Sequence, residues 1–213
     1  MTDLVLARHG ETTWHANNRY AGSSDVPLTA RGYDQAETLA TWAGGAGLDA
    51  VWCSTLSRAR ETALPSAEAI GGEPRADERL CEVDFGEGEG KSVAEMERLF
   101  PERRAAFVTD PVAHHLPGGE DPRLAVKRAL ACFDDIIDAH PDGRVLVVGH
   151  GTLMRLVLCR LLGLPLREYR RVFPVVRNTA LTTLRMSGGR AALIEYNVPP
   201  EIAAAHHLGL SIS

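Results

Sequence analysis

Only four cysteines occur in 213 residues, and no two of them form a CxxC pair. That spacing excludes a disulfide framework and a thiolate metal cluster. Cys53, Cys81, Cys132 and Cys159 stand among apolar or helix-forming neighbours and read as reduced, mostly buried thiols. Long apolar runs are also missing. The run at residues 4–7 ends at Arg8, too soon for a signal peptide, and the stretch 153–166 is broken by Arg155 and Arg160. Neither crosses a bilayer, so no membrane association is expected and the cytoplasm is the expected location. A basic excess is absent: the formal charge is −5, which argues against the broad positive surface that nucleic acid requires. A small anionic substrate stays open, because a few arginines focused in one cleft suffice for it. There is no internal repeat, low-complexity tract or linker. His114-His115 and His206-His207 have no partners at zinc-ligand spacing, and no metal site is expected. Gly86, Gly88 and Gly90 follow no strand, so they do not form a dinucleotide loop.

What is present suits one domain spanning residues 1–213. Hydrophobic residues make up 45% and charged residues 24%, and the length allows a core without staples. Buried strands are expected at 4–7, 50–53 and 144–148, with two more near 180–185 and 191–195. Thr29 predicts the cap of a helix reaching 43, and further helices are expected over 57–70, 123–140 and 152–162. Strands alternating with long helices predict a three-layer α/β fold, a mainly parallel sheet with helices on both faces. Residues 80–122 are less regular, with a charged helix expected over 93–100. This stretch is expected to cover one end of the sheet. Ligands of such sheets bind beyond the carboxyl ends of the strands. His9 and His150 each follow a strand directly and are each flanked by glycine.

Around those histidines runs an ordered series. Arg8-His9-Gly10-Glu11-Thr12 is followed by Pro27-Leu28-Thr29, Gly32 and Gln35-Ala36. Then come Ser54 to Ala59, Glu61-Thr62-Ala63, Leu80, Glu82, Phe85-Gly86, Glu89-Gly90, Pro117-Gly118-Gly119-Glu120 and Val147 to Gly151. A bare RHG means little, but in order and spacing the whole series resembles the histidine phosphatase, or phosphoglycerate mutase-like, superfamily. The likeness extends from Leu4 to about Asn178. It implies that His9 attacks phosphorus in line to form a phosphohistidine, which water then hydrolyses, and that Glu82 is the acid/base.

The residue types suit that chemistry independently. Arg8 and Arg58 offer planar donor forks for phosphate oxygens, and His150 can donate another hydrogen bond. The amides of Gly149 to Gly151 and the helix start beyond are expected to favour the anion as well. Nearby arginines keep His9 unprotonated, and its second ring nitrogen needs a carbonyl or carboxylate to fix the tautomer. Neighbouring arginines favour a Glu82 carboxylate, whereas a bound phosphate dianion favours the acid form.

Three positions depart from the superfamily pattern. His15 replaces a common asparagine and is expected either to take over its phosphate contact or to face solvent. Ala21 replaces a glutamine, leaving only backbone contacts at Ala21 and Gly22. Gly88 replaces a tryptophan, which predicts a smaller and more mobile pocket wall. The substrate-binding set is therefore Arg8, His15, Ala21, Gly22, Arg58, Glu82, His150 and Gly151. Asp134, Asp135 and Asp138 read as an exposed helix face. Arg167, Arg170, Arg171 and Arg177 read as a solvated group, one of which could reach a substrate carboxylate or second phosphate. The mid-chain insertion of the mutases, with its Arg-His-Tyr-Gly stretch, is missing. That favours metal- and cofactor-independent hydrolysis of a small phosphorylated metabolite. A cofactor-dependent phosphoglycerate mutase is the alternative, as is an α-ribazole phosphatase, suggested by Arg19-Tyr20-Ala21-Gly22. A non-catalytic scaffold is disfavoured because the five site residues are all present. Homodimers are frequent among such proteins.

Overall fold

A computed structural model describes residues 1–207, with side chains described as far as Ala203. The side chains of His206 and His207 thus lie outside the described residues. The sheet has six strands in the order β3-β2-β4-β1-β5-β6. They are β1 (Thr2–Arg8), β2 (Ala50–Ser54), β3 (Arg75–Asp77), β4 (Arg144–Gly149), β5 (Leu181–Ser187) and β6 (Arg190–Val198). The first four are mutually parallel, and the β5–β6 hairpin adds antiparallel strands to the β1 edge.

The central strands read as unbroken apolar runs because both of their faces are covered. Leu4, Leu6, Val145 and Val147 belong to the core on one face, whereas Val5, Ala7, Leu146 and Val148 belong to the core on the other. The first face is covered by α5 (Pro122–Ala139) and α6 (Gly151–Leu161), through residues such as Ala129, Phe133, Leu153 and Val157. The second is covered by α1 (Ala30–Ala43) and α2 (Ser57–Ala69), through Leu39, Ala43, Ala59 and Ala63. Thr29 caps α1 as expected, its side chain accepting from Gly32 N at 3.1 Å. Among the described residues no helix is long and apolar enough to cross a membrane.

Residues 80–122 hold more regular structure than their loose pattern suggests. Besides α3 (Val93–Leu99), they form α4 (Pro101–Thr109), which starts on proline. Phe85, Met96, Phe100, Phe107 and Leu116 form a separate small cluster with Tyr20 packed against it. Helix α4 escapes a sequence reading because only Phe107 of its nine residues is buried, too few for an amphipathic stripe. Two more short helices, α7 (Tyr169–Val172) and α8 (Pro200–His207), and the three-residue strand β3 were likewise unforeseen.

The buried Gly88 corrects one expectation. A Cβ there would lie 2.6 Å from Leu116 Cδ1, so the space a larger residue would take is already filled from within the segment. Gly88 does not border the cleft described next. Cys53, Cys132 and Cys159 are buried free thiols and Cys81 is partly exposed. His114 and His115 are exposed, as are Asp134, Asp135 and Asp138, with Asp135 pairing to Arg79 at 2.8 Å.

Candidate active site

Pairing of β1 with β4 sets Arg8 beside Gly149, so His9 and His150 leave the sheet side by side. Their ring centroids are 5.2 Å apart. Gly10 must be glycine, since a Cβ would meet Gly32 O at 2.5 Å. Its N–H donates to Thr62 Oγ1 at 2.9 Å, and Thr62 in turn donates to Arg58 O at 2.7 Å, tying α2 to the turn that follows β1. Asn178 Nδ2 donates to His9 O at 2.7 Å, and Thr179 N donates to Arg8 O at 2.8 Å.

The His9 Nδ1–H donates to Gly10 O at 2.7 Å, which leaves Nε2 as the free lone pair. The partner open in the sequence is therefore a carbonyl. Burial, followed by His150 and the charges of Arg8 and Arg58, pushes the His9 pKa well below the ordinary 6.5. His150 is pushed well below it too, by burial and then by Arg58, Arg8 and Arg128. Both rings are neutral near pH 7.

Several buried donors around His9 have no protein partner. They are Arg8 Nε, Arg58 Nε and the two ring nitrogens of His150, and a neutral imidazole supplies one N–H. Buried polar groups are ordinarily satisfied, and an unmet donor costs about 1–3 kcal/mol. Arg8 is lowered to about 10 by burial, against the opposing charge of Glu82, and stays cationic at neutral pH. Converging, unmet donors beside a neutral histidine describe a place for an anion.

Arg58 departs from the expected two-pronged grip. It is fully buried; Nη1 donates to Ser24 O at 2.6 Å and Nη2 to Gly22 O at 2.7 Å, leaving Nε for a ligand. The loop it grips is held from the other side by Glu89, which accepts from Gly22 N at 2.9 Å and Phe85 N at 3.0 Å. The Gly22 amide, expected to meet substrate, is thus already engaged. A Cβ at Gly22 would fall 2.1 Å from Glu89 Oε1.

Glu82 is buried, with Oε1 accepting from Val83 N at 2.9 Å and Leu153 N at 2.8 Å, and Oε2 from Thr152 N at 2.8 Å. Two of the helix-start amides expected to serve the anion are therefore spent on this carboxylate. Arg128 holds Glu82 in place through its backbone: Nη2 donates to Glu82 O at 3.2 Å while Nε and Nη2 grip Glu120 at 2.7 and 2.8 Å. Arg128 escaped the sequence reading because a lone arginine on a helix carries no pattern, although Glu120, its partner, stood in the motif series.

His15 sits at the cleft, its ring centroid 5.9 Å from that of His9. Its Nε2 lies 2.8 Å from Arg8 Nη2, and its Nδ1 lies 2.9 Å from Thr12 N and 2.8 Å from Thr12 Oγ1. One neutral ring has one lone pair, so it either accepts from Arg8 with Nδ1–H turned to Thr12 Oγ1, or accepts from Thr12 N with Nε2–H facing Arg8. Burial and Arg8 lower its pKa.

A cleft of about 750 Å³ opens here, lined by Arg8, His9, His15, Ala21, Glu82 and Gly151. Arg58, Gly22 and His150 stand behind that surface. The far walls come from Trp14 to Tyr20, Phe85, Ser92 to Ala94, Arg155, Arg170 and Pro174 to Val176. Arg170 is thus drawn into the cleft, whereas Arg167, Arg171 and Arg177 are exposed. Among the described residues no three His, Cys, Asp or Glu side chains are grouped to hold a metal ion.

The sequence profile of the histidine phosphatase superfamily (branch 1) matches residues 4–199. Phosphoserine phosphatase 1 of Hydrogenobacter thermophilus is 31% identical over 198 residues, 93% of each chain. The probable phosphoglycerate mutase GpmB of Escherichia coli O1:K1 is 34% identical over 172 residues, 81% of this chain and 80% of that one. The structure of Bacillus stearothermophilus YhfR superposes with a TM-score of 0.87 at 30% identity, covering 93% of this chain and 98% of that one. The chain belongs to the histidine phosphatase superfamily and is a phosphatase.

Proposed function

We propose that the protein hydrolyses a small phosphomonoester, without a metal ion, through a phosphohistidine on His9. The observation that carries this reading is the free Nε2 of a neutral His9 beside the unmet donors Arg8 Nε, Arg58 Nε and His150. The Nε2 lone pair attacks phosphorus, the bond to the leaving oxygen breaks, and protonated Glu82 gives that oxygen its proton. Water then attacks the phosphohistidine, Glu82 takes the proton, and the P–N bond electrons return to Nε2. Splitting one displacement into two lets the same positioned groups serve both. His15 is the further phosphate ligand: with Nδ1 accepting from Thr12 N, its Nε2–H stands beside Arg8 and both donate to one anion.

Hydrolysis is favoured over phosphoryl transfer between substrate positions because exposed Asn17, Asn18 and Val175 line the cleft, leaving the phosphoenzyme open to water. The name of the phosphoserine phosphatase relative supports the same choice. An α-ribazole reading draws little from Arg19, which is committed to Glu95 at 2.8 Å. The test is turnover of p-nitrophenyl phosphate in excess chelator, with an alkaline denaturing quench of the steady state and an acid-treated portion for comparison. Retained turnover and an acid-labile, base-stable phosphoenzyme are expected. Loss of activity on chelation, or a phosphoenzyme that survives in His9→Ala, would overturn the mechanism.

A further inference from the structure

The wall of the cleft built by α6 and α7 is cationic, and among the described residues no carboxylate balances it. Arg155, on α6, donates from Nε to Gly151 O at 2.9 Å and from Nη1 to Phe173 O at 3.5 Å, which leaves Nη2, and its guanidinium lies 4.9 Å from the centre of the Tyr169 ring. The Arg170 guanidinium is 5.2 Å from that same ring and 4.5 Å from the ring of Phe107 on α4. Arg104 stands 5.9 Å from Phe107. Cations and rings therefore alternate from Arg104 through Phe107, Arg170 and Tyr169 to Arg155, joining residues 80–122 to α6. Arg155 and Arg170 both border the cleft that holds His9.

Their neighbours show what an uncommitted arginine in this chain would normally do. Arg167 and Arg171, on either side of Arg170, both pair with Glu168. Neither Arg155 nor Arg170 has a carboxylate partner among the described residues, in a chain whose net charge is −5. Stacking on an aromatic face fixes a guanidinium plane while leaving its edge donors available. Two such cations near one ring repel each other, and a shared anion offsets that repulsion.

We propose that Arg170 and Arg155 form a subsite for a second anionic group, carried on the leaving-group part of the substrate. This rests on the reading of the cleft as a phosphomonoesterase site and narrows it. Preferred substrates are phosphomonoesters of hydroxy acids, or bisphosphates, rather than those of neutral alcohols. Both groups share one chemistry, an anion met by a planar donor fork.

The experiment compares kcat/KM within matched pairs. 3-Phosphoglycerate is set against glycerol 3-phosphate for short reach, and 6-phosphogluconate against glucose 6-phosphate for long reach. Fructose 1,6-bisphosphate against fructose 6-phosphate tests phosphate as the second anion. The wild type is expected to favour the anionic member of at least one pair by about tenfold or more, the scale of a charge-assisted hydrogen bond. The pair that responds distinguishes carboxylate from phosphate. Arg170→Gln and Arg155→Gln should each collapse the ratio, chiefly through KM, and Arg170→Lys should restore part of it. Because Arg170 also packs on Phe107, Phe107→Leu removes that packing but keeps the charge, and should keep the ratio. Arg190→Gln, at the opposite end of the sheet, should leave it unchanged. If p-nitrophenyl phosphate is not turned over, the phosphatase reading fails. If it is turned over but no pair shows a preference, or the preference survives both glutamine variants, the subsite is overturned and the phosphatase reading stands.

Discussion

The two ends of the cleft are built differently. At the end around His9, the proposed phosphate end, nearly every group is held by backbone. His9 is fixed by Gly10 and Asn178, Arg58 by the carbonyls of residues 21–24, and Glu82 by the amides of Val83, Thr152 and Leu153. At the other end, the proposed leaving-group end, the walls are side chains, many partly exposed: Trp14, Asn17, Asn18, Val93, Arg170 and Val175. Backbone contacts preserve geometry through side-chain change, so the chemistry is protected while recognition of the organic group is left adjustable. The departures from the superfamily pattern at His15 and Ala21 lie on the lining surface, whereas the buried Gly88 does not.

The contrast can be broken most severely at His9. Replacing it with alanine should lower kcat by at least about 10⁴-fold on every substrate, measured by steady-state turnover; a loss confined to some substrates would mean that the two ends are not separate. Glu89→Gln should come next. It weakens the hold on the loop that Arg58 grips, and a fall of about tenfold or more in kcat is expected for all substrates alike, with a loss of roughly 1–3 kcal/mol in denaturant unfolding.

A pH experiment sharpens the picture of the phosphate end. His9 and His150 have folded-state pKa values well below the ordinary 6.5, so below that pH the unfolded chain binds more protons than the folded one. Their contribution is fully present above 6.5 and is lost as pH falls. The melting temperature should therefore drop between pH 7.5 and 5.5, less steeply in His150→Gln. Inorganic phosphate, by pairing with these rings, should also flatten the slope. An unchanged slope in His150→Gln would show that the ring is not buried neutral. The smallest effect is expected at Arg171→Ala. Its ion pair with Glu168 is exposed, and a stability change within about 0.5 kcal/mol is expected, with kinetics unaltered. A kinetic effect there comparable to that of Arg170→Gln would dissolve the distinction between lining and surface arginines.

Much of the fold was legible because its signals are local. Apolar runs marked β1, β2 and β4, and Thr29 marked the start of α1. Helix α4 was not, since one buried phenylalanine makes no stripe. In the candidate site, His9 and Glu82 both line the cleft, but what they touch was not readable. The Gly10 carbonyl on His9 depends on the turn geometry, and two of the three amides on Glu82 come from a helix some seventy residues later. Arg128 and Asn178 carry no pattern at all; only the fold brings them to the site.

The sequence by itself determined the alternation of strand and helix, the order of the motifs and the residue types able to handle phosphate. It could do so because strand period, capping and charge are properties of neighbours along the chain. Tertiary structure alone decided which donors remain unmet, that Arg58 spends two of its nitrogens on a loop, and that Arg170 enters the cleft while Arg171 does not. Those are questions of burial and approach between distant segments. Register across the sheet and packing of residues 80–122 against α7 answer them, and no local pattern encodes either.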